Sequence, residues 1–364
     1  MNPREFGFII DMNYAIEEKM REKVVFYLAT IKELSLKCGV SISTVSKALN
    51  GYRDISDETK QRVLKTATEL GYLSDASAKM LKKKKTCNIG VLYRDTSNQD
   101  LRNEYFAYIL ASFKEKAAKE GYDITFIEHN IGNKKTTYLE HCRSRNFDGV
   151  CIVCAEFGDP EVLELVNSDF PVVTVDHVFN EAISIMSDNI QGMRQLVEYI
   201  ISQGHEKIAY IYGTKSSVTH NRLVSFNNVL AEYRISIPRE YYKEGIYRSV
   251  EKTEELTEQL LQLPNPPTCI IVPDDYSAFG AMNTIHRLGL RIPEDISIAA
   301  YDGILAGQAL EPKLTTIKQD VDKIGAEAAR QLIELIENPM TTSLDNIYLK
   351  GQLVKGGSVK NLFK

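Results

Sequence analysis

The chain has no run of about 18 consecutive apolar residues, so it offers no helix able to cross a bilayer. A secretion leader is equally hard to find. MNPREFGFIIDMN has a basic residue and a short apolar patch, but Asp11 interrupts it and no small-residue cleavage site follows. Cysteine is sparse, with 6 residues scattered over 364, which fits a reducing, cytoplasmic setting better than a disulfide framework. Cys151 and Cys154 form a CxxC, yet they sit in DGVCIVCAE, an apolar run that reads as a buried strand. Positions three apart on a strand face opposite sides, so no shared metal is expected. The histidines at 129, 141, 177, 205, 220 and 286 form no HExxH, and no GxxxxGK[ST] loop occurs. Of these only His177 and His220 are expected near a ligand cleft, where hydroxyl recognition suffices to explain them. Catalysis, a metal and a cofactor are therefore not expected.

What is present is an ordinary globular composition, 43% hydrophobic and 26% charged, in 364 residues, enough for two or three domains. The net charge of −5 hides an asymmetry. Residues 30 to 86 carry 12 basic against 6 acidic side chains, whereas residues 87 to 364 carry 28 against 38. A basic head on an acidic body suggests a polyanionic partner for the head alone.

In the head, Thr30-Ile31-Lys32-Glu33 is a capping-box pattern that opens a helix ending at Gly39. After a turn of only Gly39-Val40, Ser41 caps a second helix, which is helix-turn-helix spacing. Ser56, followed by Asp57 and Glu58, starts a third helix that runs to Leu70 and stops at Gly71. Ile31, Leu34, Val40, Val45, Leu49, Val63, Leu64 and Leu70 suffice for a small core. The second helix, in SISTVSKALNG, has a thin apolar stripe of Val45, Ala48 and Leu49 inside a polar face of Ser41, Ser43, Thr44, Ser46, Lys47 and Asn50. Such a face, with Ile42 beside it, suits insertion into a DNA major groove. Lys47 can donate to guanine, Ser43 can serve either partner type and Ile42 can touch a thymine methyl.

Residues 74 to 88, SDASAKMLKKKKTCN, form a linker with a short helix-capable segment and four consecutive lysines. From there to residue 364, apolar strands alternate with amphipathic helices, the strands being IGVLY, ITFIE, GVCIVC, PVVTVD, SIMSD, KIAYIYG, TCIIVPD and ISIAAYD. Helices are expected at 105 to 120, 190 to 203, 222 to 233, 251 to 263 and 277 to 288. This alternation implies doubly wound parallel sheets of the α/β class, with ligands beyond the strand C-termini. The polar residues there are Asp176, Asp274, Asp275 and Asp302, with Arg222 at a helix start after GTKSSVTHN. Carboxylates accept from vicinal hydroxyls and a guanidinium donates to them in a planar fork, so the set suits a sugar or similar polyol.

TIKELSLKCGVSISTVSKALNGYRDISDETKQRVLKTATELGY resembles the N-terminal module of the lactose-repressor/galactose-repressor (LacI/GalR) family of bacterial transcription factors, and the resemblance extends along nearly the whole chain from Thr30. It implies a three-helix DNA-binding domain over 30 to 73, a hinge helix and linker over 74 to 88, and a two-lobed, periplasmic-binding-protein-like effector and dimerisation domain over 89 to 364. It implies that Ile42, Ser43 and Lys47 read bases, Lys47 standing where arginine is more usual. It also implies that the hinge segment with Ala78, Leu81 and Lys82 folds on the operator, Leu81 wedging into the minor groove. With the caps and the rest of the polar face, the DNA-binding set is Thr30, Ser41, Ile42, Ser43, Thr44, Ser46, Lys47, Asn50, Ala78, Leu81 and Lys82. In the body, Arg222, Asp176, Asp274 and Asp302 match effector-cleft positions. Gln319 of LTTIKQD lies near the cleft, and Tyr105 or Phe106 of NEYFAYIL can stack on a sugar face.

Residues 1 to 29 have no counterpart in the resemblance, and we expect the natural start to lie near Leu28, with a genuine N-terminal helix around 14 to 28 as the alternative. The functional expectation is a homodimeric repressor on a palindromic operator, controlled by a sugar-like effector. Two alternatives stay open: a regulator answering a purine or protein corepressor, and a solute-binding protein, which would share the body but lack the head.

Overall fold

A computed structural model describes residues 29–49, 52, 54–70, 72, 85–95 and 100–363. The chain divides between residues 84 and 85 into two units. Among the described residues no helix is long and apolar enough to cross a membrane.

The first unit contains α1 (Ile31–Cys38), α2 (Ile42–Leu49) and α3 (Asp57–Glu69). The capping box at the start of α1 is complete: Thr30 Oγ1 accepts from the Glu33 amide, and Glu33 Oε2 accepts from the Thr30 amide at 2.7 Å. Gly39 ends α1 at φ 67, a left-handed position that costs a glycine little. The Thr44 amide donates to Ser41 Oγ at 3.1 Å to start α2, and the Thr59 amide donates to Ser56 Oγ to start α3. The core is Leu34, Cys38, Val45, Ala48, Val63 and Ala67, with Ile31, Val40, Leu49, Ile55, Leu70 and Tyr72 packed around it. Leu64, expected inside, is 51% exposed, because the inward stripe of α3 runs through Val63 and Ala67, four apart.

The second unit holds two six-stranded sheets. The first, in spatial order, is β13 (Asn346–Leu349), β7 (Ile183–Ser187), β6 (Val172–Val175), β5 (Gly149–Cys154), β1 (Asn88–Tyr93) and β2 (Asp123–Phe126), all parallel. The second is β14 (Gln352–Val354), β12 (Thr315–Lys318), β11 (Ser297–Asp302), β10 (Cys269–Ile271), β8 (Ile208–Tyr212) and β9 (Tyr242–Glu244), parallel except for the antiparallel edge β14. A small hairpin, β3 (Asn130–Ile131) with β4 (Lys134–Lys135), adjoins the first sheet in sequence. The expected parallel, doubly wound α/β architecture is therefore present. The chain passes between sheets after β7, after β12 and after β13, so three crossings join the lobes.

The first lobe is flanked by α4 (Glu104–Lys119), α5 (Tyr138–Arg145) and α6 (Pro160–Val166), and by α12 (Val321–Glu337), which returns to it from the second lobe. On β5, Cys151 and Val153 enter one core cluster, while Val150 and Ile152 enter the opposite one. Cys154 breaks this alternation: the register shifts between Leu92 and Tyr93, and Cys154 packs toward the same cluster as Cys151. The expectation of opposite faces is thus corrected. Both thiols are free, and burial pushes Cys154 up to about 12. Helices α4 and α12 meet so closely that a Cβ on Gly325 would lie 2.1 Å from the Ile109 carbonyl oxygen. The second lobe is covered by α7 (Asn189–Ser202), α8 (Ser217–Glu232), α9 (Val250–Leu261) and α10 (Ala278–Arg287), with the short α11 (Leu305–Gln308) after β11. Lys85, Thr86 and Cys87, read from sequence as linker, belong with this unit. The Thr86 and Cys87 amides donate to the Asp148 carboxylate, and Lys85 Nζ pairs with Glu337 at 3.2 Å.

Candidate nucleic-acid interface and ligand cleft

On α2, burial of Val45 and Ala48 turns Ile42, Ser43 and Lys47 to solvent, with Thr44 and Ser46 half-buried. Ser41 Oγ lies 2.8 Å from both Ser43 Oγ and Thr44 Oγ1, so these hydroxyls form one cluster at the helix start. Ile42 is 47% exposed, an apolar side chain held in solvent at the N-terminal end of a polar face. Lys47 Nζ reaches Asp54 Oδ2 at 2.5 Å, a partner that sequence reading did not supply. Thr30 is engaged in its capping box. Asn50, Ala78, Leu81 and Lys82 lie outside the described residues, as do residues 1–28.

In the second unit, the C-terminal ends of both sheets open on one cleft of about 690 Å³. Tyr105, Phe106, Asp176, Arg222, Asp274, Asp302 and Gln319 all line it. They come from segments far apart in the chain, brought together because the strand ends of the two lobes face each other.

Arg222 is buried. Its Nε donates to Asn189 Oδ1 at 2.8 Å and its Nη1 to the Pro273 carbonyl at 3.1 Å, its Nη2 lies 3.7 Å from Asp302 Oδ1, and its Cζ sits 3.5 Å above the Tyr301 ring. It is in the second turn of α8 and not at a helix start, because Ser216 caps the helix earlier by accepting from the Thr219 amide. Burial lifts the Asp302 carboxyl to about 6 against the pull of Arg222, and the neighbouring Asp274 adds to the rise. Gln319 Nε2 donates to Asp302 Oδ1 at 2.7 Å, and Gln319 Oε1 lies 3.3 Å from the Tyr105 hydroxyl. That hydroxyl donates to Asp176 Oδ2 at 2.8 Å. Burial raises the Asp176 carboxyl too, while the Ser187 amide and Tyr105 hydroxyl restrain the rise. A chain of polar contacts thus runs from Asp176 in the first lobe to Arg222 in the second. Asp274 is committed differently: it accepts from the Ser277 amide and hydroxyl and from the Arg248 amide, fixing the loop that brings Arg248 to the cleft.

Asp275 does not line the cleft. It is fully buried, accepting from Thr316 Oγ1 at 2.6 Å and from the Ile304 amide at 2.8 Å, so it fastens β12 to the turn after β11. Of the two histidines expected near the cleft, His177 lines it, stacked parallel on Phe157 at 4.1 Å; His220 is exposed on α8 and is not part of the lining. Phe106 packs edge-on against Tyr93 and Tyr105. The lining residues missed from sequence include Asn103, Phe157 and Arg248. Phe157 follows β5, a strand-end signal of the kind that identified the aspartates. Asn103, with Nδ2 donating to Asp95 and Oδ1 unpartnered, carries none. Among the described residues no group of three His, Cys, Asp or Glu side chains could hold a metal ion.

Two stretches of the chain match known protein families. Residues 30–75 match the model for bacterial regulatory proteins of the lacI family, and residues 197–359 match a periplasmic binding protein-like domain. The probable HTH-type transcriptional repressor ExuR of Bacillus subtilis is 30% identical over 86% of this chain and 93% of its own length. The ribose operon repressor of Haemophilus influenzae is 32% identical over 86% and 93%. A crystal structure of the Lac repressor dimer bound to operator and the anti-inducer ONPF is 26% identical, covering 92% of this chain and 99% of that one, with a TM-score of 0.71. On this similarity over nearly the full length of these repressors, the chain belongs to the LacI family of bacterial transcriptional repressors.

Proposed function

We propose that this repressor acts as a homodimer on a palindromic operator and answers to a small carbohydrate held in the interlobe cleft. The observation that carries the proposal is the convergence of Asp176, Asp302, Gln319 and Arg222 on one cavity whose lining includes the aromatic rings of Phe106 and Phe157. Carboxylate and amide oxygens accept from ring hydroxyls, the guanidinium donates to them, and an aromatic face covers the apolar side of a sugar ring. A cavity of about 690 Å³ is ample for a monosaccharide or its phosphate. One relative is named a ribose operon repressor, in keeping with a carbohydrate, while several are named PurR, which keeps a purine as the second reading.

On the DNA side, Ile42, Ser43 and Lys47 of α2 read base edges, and the hydroxyl cluster at Ser41, Ser43 and Thr44 meets the backbone or adjacent bases. Ser46 and Asn50 also contact DNA, and Ala78, Leu81 and Lys82 of the linker contact the operator centre. Effector changes operator affinity because it binds one arrangement of the lobes more tightly than the other.

A thermal-shift screen of sugars and sugar phosphates, followed by operator binding with each hit, tests this reading. The expected result is a raised melting temperature with at least one carbohydrate, and an Arg222→Ala protein that keeps operator affinity but loses the response. If purine bases shift the melting temperature and no carbohydrate does, the carbohydrate assignment fails.

A further inference from the structure

The carboxylate beside Lys47 is the feature that the DNA-reading face leaves unexplained. Lys47 is the single basic residue of α2, and a lysine is a flexible point charge that serves a phosphate as readily as a guanine. Here the Tyr52 amide donates to the Lys47 carbonyl at 3.1 Å, and Asp54 Oδ2 meets Lys47 Nζ at 2.5 Å. Both side chains stay about half exposed, 47% and 54%, so the pair is presented to solvent rather than buried as a structural bridge. Among the described residues Lys60 also acts on Asp54, and it has its own partner in Asp57 at 3.3 Å.

We infer that Asp54 is a specificity-determining residue for operator recognition, holding the Lys47 ammonium for a guanine edge and denying it to phosphate. The inference rests on the reading of α2 as the major-groove helix with Lys47 on a base. A guanine offers N7 and O6 as acceptors, and its paired cytosine offers an N4 amino donor. The ammonium suits the first and the carboxylate the second, so the pair together matches one G·C base pair, whereas lysine alone matches only half of it. Against the sugar-phosphate backbone the carboxylate is repelled, which penalises binding that is not in register. The mutual support of the two charges agrees: the hydrogen bond between them raises the Lys47 ammonium and lowers the Asp54 carboxyl.

The test uses the full-length protein and its Asp54→Asn, Asp54→Glu and Lys47→Met variants. Each is selected against a randomised palindromic duplex library, then titrated with the selected and a scrambled duplex at several salt concentrations. We expect Lys47→Met to lose the preference for G·C at one position in each half-site. Asp54→Asn should keep or gain affinity for scrambled DNA, lose about tenfold in its selected-to-scrambled ratio, and steepen its salt dependence on scrambled DNA by about one phosphate contact per protomer. Asp54→Glu should retain most of the discrimination. If Lys47→Met relaxes the preference while Asp54→Asn leaves ratio and salt slope unchanged, the role of Asp54 is refuted and the reading of α2 survives. If Lys47→Met also leaves the selected sequence unchanged, both fall.

Discussion

Replacing Arg222 by methionine tests whether the second-lobe wall of the cleft is held by this one guanidinium. The change removes two hydrogen bonds from a charged donor, to Asn189 and Pro273, and the face of Tyr301 loses its cation. Hydrogen bonds from charged donors contribute about 1.5–3 kcal/mol each, and a desolvated cation–π contact contributes about 2 kcal/mol. Against this stands the desolvation of the buried guanidinium, several kcal/mol, which methionine does not incur. The deciding contribution is Asp302, mostly buried and left without the guanidinium at 3.7 Å, with Arg248 the remaining cation acting on it. Removing one partner of a buried pair costs about 3–5 kcal/mol, and we expect a loss of about 3 kcal/mol at pH 7.5. The loss should shrink at pH 5, because the Asp302 carboxyl, already lifted to about 6, rises further without Arg222 and is then neutral. Urea unfolding of the full chain followed by circular dichroism measures this, and a cycle with Asp302→Asn isolates the coupling. A loss under about 1 kcal/mol at pH 7.5, or an equal loss at both pH values, would refute the argument.

Two further outcomes follow from the same geometry. A ligand hydroxyl that donates to the Asp302 carboxylate favours its ionised form, so binding lowers a carboxyl that stands near 6 in the free protein; carbohydrate affinity by calorimetry should therefore weaken about tenfold from pH 7 to pH 5, and a flat profile would remove Asp302 from ligand contact. For stability the sign is opposite: a carboxyl raised by folding contributes most below its ordinary range near 3.8, and that contribution disappears as pH rises through about 6. Gly325→Leu should cost about 3 kcal/mol or abolish folding, since even a Cβ there would sit 2.1 Å from the Ile109 carbonyl and α4 and α12 cannot stay in contact. An unchanged urea midpoint would show that the two helices are not packed through Gly325.

Much of the fold is legible because caps and periodicity are local. Thr30, Ser41 and Ser56 each announce a helix through a side-chain oxygen that the structure places on a backbone amide. The buried strands announce themselves as apolar runs, since a strand covered on both faces needs no alternation. The edge strands Tyr242–Glu244, Asn346–Leu349 and Gln352–Val354 escape such reading because they are short and only partly buried. Leu64 shows the limit of composition alone: an apolar residue next to a core residue on a helix points about 100° away from it. The start of α8 was misplaced for another reason. Thr219 and Arg222 are both buried, so the first turns of that helix face the cleft and the core with polar residues, and no apolar stripe marks them.

The cleft residues were legible only as a set. Asp176 and Asp302 both adopt left-handed backbone conformations, φ 56 and φ 105, just where β6 and β11 end. Such positions favour Asp and Asn in any turn, so each aspartate alone is ordinary. What distinguishes them is that parallel sheets place every strand C-terminus on one edge, and three crossings set two such edges face to face. The aspartates ending β6 and β11 must then share a cavity, whatever their separation in sequence, and the residue after β12, Gln319, must lie between them. Asn189 and Tyr301 could not be seen this way, because they act on Arg222 from behind and do not face the ligand space. Their positions depend on how α7 and β11 pack beneath α8, a long-range result of side-chain volumes that no short stretch of sequence encodes.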